Sequence, residues 1–199
     1  MKPTYKQQRS FSDSHLDFVQ GVLGRYFLID APFDLDTEEA TDLVTVTGGG
    51  IKTAVRIRRQ SYRDRFKYDF TLRSYSTRTA NIMNAEYEKI CSGYADYLFY
   101  GYSQGANNSV GPWYLISLDH FRQHIKGEHR WGIRRGENFV QEKDGSKTWF
   151  HWFDIRTFPQ QPPLLVAASE QVPMQPTSWQ APDRGAVETA SPYQREMFL

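Results

Sequence analysis

Two runs dense in aromatic and aliphatic side chains, residues 97–102 and 113–118, constrain this 199-residue chain most tightly. Both are short and apolar at nearly every position, so each reads as a strand buried on both faces. A sheet with such strands inside it needs a layer on either side, and the remaining pattern supplies those layers. Leu16, Val19, Val22, Leu23 and Tyr26 recur at helical spacing behind Ser12-Asp13-Ser14, whose short oxygen-bearing side chains suit a cap, so a helix is expected over 15–25. Residues 26–29 form a short apolar run that fits a strand or the helix end. Alternation over 43–47 and 51–58, on either side of Gly48-Gly49-Gly50, predicts a β-hairpin, and a third strand is expected over 68–75.

Further along, Met83, Tyr87, Ile90, Cys91 and Tyr94 share one helical stripe over 81–94 that closes near Gly93. Asp119 is placed to cap a short helix over 121–126, and Lys143-Asp144-Gly145-Ser146 to turn a late hairpin between 139–140 and 149–155. A three-stranded antiparallel meander followed by a helical crossover to another strand gives the α/β (α+β) class: a mixed central sheet flanked by helices. From residue 159 the character changes, because seven of the ten prolines fall there among Gln, Ser and Ala, with no apolar period left. Residues 1–158 are therefore expected to form one α/β domain and 159–199 a disordered Pro/Gln-rich tail.

The absence of an apolar stretch of about 18 residues argues against a membrane span. Residues 1–10 are polar and basic with no apolar segment behind them, so a cytoplasmic protein is expected. Cys91 is the single cysteine, which excludes a disulfide framework or a thiolate metal cage within one chain. His120 and His124 have the four-residue spacing of zinc ligands, but without a cysteine or HExxH partner they are expected to face solvent.

The net charge is only +1, yet its distribution is uneven. Residues 30–42 carry six carboxylates and no cation, whereas residues 56–78 carry eight cations (Arg56, Arg58, Arg59, Arg63, Arg65, Lys67, Arg73, Arg78) against Asp64 and Asp69. Alternate residues of a strand share a face, so Arg56 and Arg58 are expected to point together, opposite Val55 and Ile57. Arg59, Arg63, Arg65, Lys67 and Arg73 extend that surface, with Tyr62, Phe66 and Tyr68 interleaved for base stacking. Guanidinium forks match phosphate oxygens, so this stretch is the expected site for DNA, or RNA. The alternative is a solvated face paired with the acidic block.

Over residues 14–118 the order helix, three strands, helix, strand, with Asp42 opening a strand, resembles the core of the PD-(D/E)XK nuclease superfamily, the restriction-endonuclease-like fold. The resemblance implies a Mg²⁺ ion held by Asp42 and by an acid-x-lysine pair on the next strand, activating water for phosphodiester cleavage. Here Arg56 and Arg58 stand where the acid and the lysine would be, and a guanidinium repels a cation. Either the acid has migrated, with Asp69 and Glu86 as candidates, or cleavage is lost and binding retained, as in a DNA-binding or inhibitory module of phage or mobile-element origin. The last residues, Gln194, Met197 and Phe198, resemble the peptide by which bacterial polymerases and repair proteins dock on the sliding clamp, which implies that clamp as a partner in replication, repair or recombination.

Overall fold

The structure, a computed structural model, describes residues 5–24, 28–30, 43–45, 50–77, 85–105, 108–126, 133–141 and 144–175. The two aromatic runs are strands β5 (Tyr97–Ser103) and β6 (Val110–Ser117), paired antiparallel in the middle of a six-stranded sheet. β3 (Lys52–Arg58) runs parallel to β5 on its other side. Beyond β3 lie β2 (Leu43–Thr45) and β1 (Leu28–Asp30), each antiparallel to its neighbour, and β9 (Leu165–Ala168) closes the far edge against β6. The order is β1-β2-β3-β5-β6-β9. A second, antiparallel sheet is built from β4 (Asp69–Ser76), β8 (Lys147–Asp154) and β7 (Arg135–Gln141), in the order β4-β8-β7.

The first sheet separates two cores. On one face Ile57, Phe99 and Val110 pack with Val19 from α2 (Leu16–Leu23), and Phe11 from α1 (Tyr5–Asp13) adds to them. On the other, Ala54, Leu98, Tyr100, Tyr102, Tyr114 and Ile116 meet Phe70 and Leu72 of β4 and Phe153 of β8. The rings of Phe70, Phe121 and Phe153 lie 5.0–5.4 Å apart, mostly edge to face, the arrangement their quadrupoles favour. Ile90 of α4 (Glu86–Cys91) and Phe121 of α5 (Leu118–Lys126) complete this larger core. Arg122 of α5 ties the two helices together, donating from Nη1 to the carbonyls of Ile90 and Ala95 at 3.3 and 3.0 Å, at and just beyond the C-terminal end of α4. Among the described residues no helix is long and apolar enough to cross a membrane.

The mixed sheet with a meander and a helical crossover is present, but the meander is β1-β2-β3, one strand earlier than expected. The strand expected over 68–75 exists as β4 and is not the meander's third member, because β5 occupies the place beside β3 and β4 instead pairs along its length with β8. The helix expected over 15–25 stops at Leu23, where Gly24 at φ 112° donates its N–H to the Gln20 carbonyl. The described helix within 81–94 spans only Glu86–Cys91. The late hairpin forms as β7–β8. The boundary at 159 is corrected: Leu164 is buried, β9 adds a strand to the first sheet, and Val172 joins the larger core, so the folded body runs to 175 despite its prolines. Residues 176–199 lie outside the described residues, as do Gly48 and Gly49.

Gly101 of β5 marks how closely the sheet packs. A Cβ there would sit 2.4 Å from Val110 Cγ1 and 3.1 Å from Trp113 Cβ. Gly101→Ala is expected to destabilise the protein by about 1–3 kcal/mol, read as a lower urea midpoint at unchanged m-value. An unaltered midpoint would show that β6 can yield there.

Candidate functional site

β5 and β6 send three tyrosines toward the connection that carries the basic residues. The Tyr102 hydroxyl donates to the Phe66 carbonyl and lies 3.1 Å from that of Asp69, while Tyr114 donates to the Lys67 carbonyl at 2.8 Å. Tyr100 shares a hydrogen bond of 3.1 Å with Thr71 Oγ1 on β4. Burial raises the ionisation of Tyr102 and Tyr114 well above the phenol's ordinary value, so both remain neutral donors. The chain between β3 and β4, a 3₁₀ turn (Gln60–Tyr62) and the single-turn α3 (Arg63–Phe66), is thereby held over the end of the sheet.

This placement divides the cations that the sequence groups together. Arg56 and Arg58 do share a face of β3, but it is the face of Ala54, turned toward the second sheet and not outward. Arg56 donates from Nη1 to Glu86 Oε2 on α4, and that oxygen also accepts the Arg73 backbone N–H at 3.2 Å. Burial opposes the charge on Arg56, but the attraction of Glu86 and Tyr100 outweighs it and holds the guanidinium protonated. Arg58 reaches Thr71 Oγ1 at 3.3 Å and lies over the Tyr62 ring, 4.7 Å from its centroid. Lys67 is ion-paired with Glu170 at 2.5 Å, a contact that raises its ionisation. Arg63 pairs with its neighbour Asp64 at 3.0 Å. Arg59, Arg65 and Arg73 are exposed, with Arg59 over the Phe11 ring and Arg65 over the Phe66 ring. The expectation of one outward-facing basic strand is therefore corrected, since a sheet covered on both faces has no solvent face for alternation to select.

The candidate carboxylates do not form a shared site. Asp42 lies outside the described residues, as do Gln194, Met197 and Phe198. Asp69 and Glu86 are not brought together: Asp69 opens β4, whereas the Glu86 carboxylate sits at Arg73, four residues and about 13 Å along the strand. Asp69 stands opposite Asp154 of β8, which is 2% exposed and accepts two side-chain hydrogen bonds, from Arg156 Nε and Nη2 at 2.9 and 2.7 Å. Among the described residues no group of three or more His, Cys, Asp or Glu side chains converges to hold a metal. His120 is engaged with the Pro163 carbonyl at 2.8 Å.

Two constellations escape a reading of the sequence. His15 Nδ1 lies 2.7 Å from the Phe11 carbonyl and Nε2 3.0 Å from Ser103 Oγ, a serine–histidine pair inside Gly101-Tyr102-Ser103-Gln104-Gly105. That pattern resembles a nucleophile elbow, but here the strand leads into a hairpin and the Gln104 N–H is committed to the Ser109 carbonyl. His15 and Ser103 are 2% and 4% exposed, so the pair fastens the α1–α2 connection to β5. The second constellation is β8, which has aromatic residues at both parities: Trp149 and Phe153 on one face, Phe150 and Trp152 on the other. Their alternation is legible in the sequence, but which face meets the core is not.

Comparison with protein-family models, with curated proteins and with solved structures finds no match.

Removing the Glu86 carboxylate leaves Arg56 charged and half-enclosed without its counter-ion. Glu86→Ala is expected to cost about 3 kcal/mol in equilibrium unfolding, and Arg56→Met with Glu86→Leu to restore most of it. A single variant as stable as the wild type would mean that the pair contributes nothing.

Proposed function

We propose that the protein binds nucleic acid through the exposed guanidinium groups around the β3–β4 connection. The observation that carries this reading is the fate of the cations. Among the described residues Arg56, Arg63 and Lys67 are paired with carboxylates, while Arg59 and Arg73 present exposed guanidinium groups and Arg65 lies over the Phe66 ring, itself near Tyr62. Guanidinium groups spaced along a turn suit phosphates, and aromatic neighbours suit bases.

The engagement of Glu86 by Arg56 favours binding without cleavage, because a carboxylate already neutralised by a guanidinium is a poor Mg²⁺ ligand. The test is fluorescence anisotropy with a labelled oligonucleotide across a salt series. Arg59→Ala, Arg65→Ala and Arg73→Ala combined should weaken binding and reduce the slope of log K against log salt by about 2–3. An unchanged slope removes this surface from consideration, and Mg²⁺-dependent cleavage abolished by Asp42→Ala would restore the enzyme reading.

The terminal peptide is a separate proposal. Gln194, Met197 and Phe198 suit a sliding-clamp pocket, with the amide at its rim and the two apolar side chains inside. Deleting residues 194–199 should abolish capture of a bacterial sliding clamp and leave oligonucleotide affinity as it was. Failure of the intact chain to capture the clamp discards that partner.

A further inference from the structure

The face of the second sheet that carries Thr71 and Arg73 has a composition that neither core explains. Trp152 and Phe150 stand two residues apart on its middle strand, both half-buried and belonging to neither apolar core. Their cross-strand neighbours follow from the register. Thr71, Trp152 and Gly136 form one row across β4, β8 and β7, and Arg73, Phe150 and Asn138 form the next. Gly136 lets the Trp152 ring lie against the strand, since a Cβ there would come within 2.7 Å of the indole.

Cations border the two rings on the β4 side. Arg73 is exposed, and no described residue forms an ion pair with it. Arg58 extends from β3 to Thr71, the residue directly opposite Trp152, and covers one side of the Tyr62 ring. Arg58 and Thr71 thus stand between the basic connection and Trp152, and Arg73 stands beside Phe150. Two aromatic rings at i and i+2 of a central strand are about 6.6 Å apart along it, a spacing that lets successive splayed bases each find a ring.

We propose that this face binds single-stranded nucleic acid, with two unpaired bases stacking on Trp152 and Phe150 while Arg58 and Arg73 hold the adjoining phosphates. The proposal rests on the nucleic-acid reading above and narrows it to a strand with exposed bases. In a duplex the base faces are already stacked and the rings have nothing to receive. Charge favours a polyanion over an apolar partner, because the groups in the rows of the two rings are guanidinium, hydroxyl and amide, and of the next row, Asp69 and Asp154, both are buried and Asp154 is paired with Arg156.

The experiment uses the full chain and three probes: a short oligothymidylate, the same strand annealed to its complement, and an abasic strand of equal length. The intact protein should prefer the base-bearing single strand to both others. Trp152→Leu and Phe150→Leu should each lower single-strand affinity roughly tenfold and leave duplex affinity alone, while Trp152→Phe, which keeps a stacking ring, retains most of it. Thermal midpoints of all variants separate a folding defect from a lost contact, and Phe150→Leu provides a second probe should Trp152→Leu unfold. Wild-type affinity in both leucine variants, an equal loss on duplex, or equal binding of the abasic strand overturns the platform and leaves the guanidinium surface standing. Failure of the intact protein to bind any of the three probes removes the nucleic-acid reading itself.

Discussion

The hydroxyls of Tyr102 and Tyr114 rise from the first sheet and take the carbonyls of Phe66 and Lys67, and Tyr100 engages Thr71 just beyond. The phenols of Tyr102 and Tyr114 each place a ring in the larger core and a polar end on a chain segment that lies before β4 and outside its ladder. Buried polar groups must be paired, so the connection between β3 and β4 can take few positions that satisfy both ends. That restriction sets the start of β4, and with it the second sheet. Where Arg58, Arg73 and Trp152 stand follows from it.

The same geometry explains why neighbouring cations have different fates. Arg56 is enclosed between the sheets and is tolerable there only because Glu86 accompanies it and a backbone N–H shares the carboxylate. Arg58, two residues on, reaches the rim, where a hydroxyl and an aromatic face suffice. Arg59 lies on the opposite side of the strand, over Phe11 of the helical layer. Position relative to the covering layers, more than charge density along the chain, thus decides which guanidinium groups can meet a ligand.

His151 and Tyr87 show how far the second sheet is enclosed at its inner face. Their rings are 4.4 Å apart, and burial pulls the His151 ionisation down and pushes the Tyr87 phenol up to about 12. Phe150 and Trp152 lie on the opposite face and belong to neither apolar core. β8 therefore serves two environments, which its aromatic residues at both parities permit.

The amino-acid sequence by itself determined the class of the fold, the buried strands β5 and β6, the late hairpin and the presence of a basic stretch. These depend on local periodicity and turn chemistry, which a single segment contains. Only the tertiary structure decided that β4 leaves the meander, that residues 164–172 join the body, and that Arg56 turns inward to Glu86 while Arg73 stays exposed. The reason is physical: alternation tells which residues share a face, but not which layer lies over that face. A proline-rich composition likewise measures local stiffness and not the cross-strand hydrogen bonds that place β9 on β6.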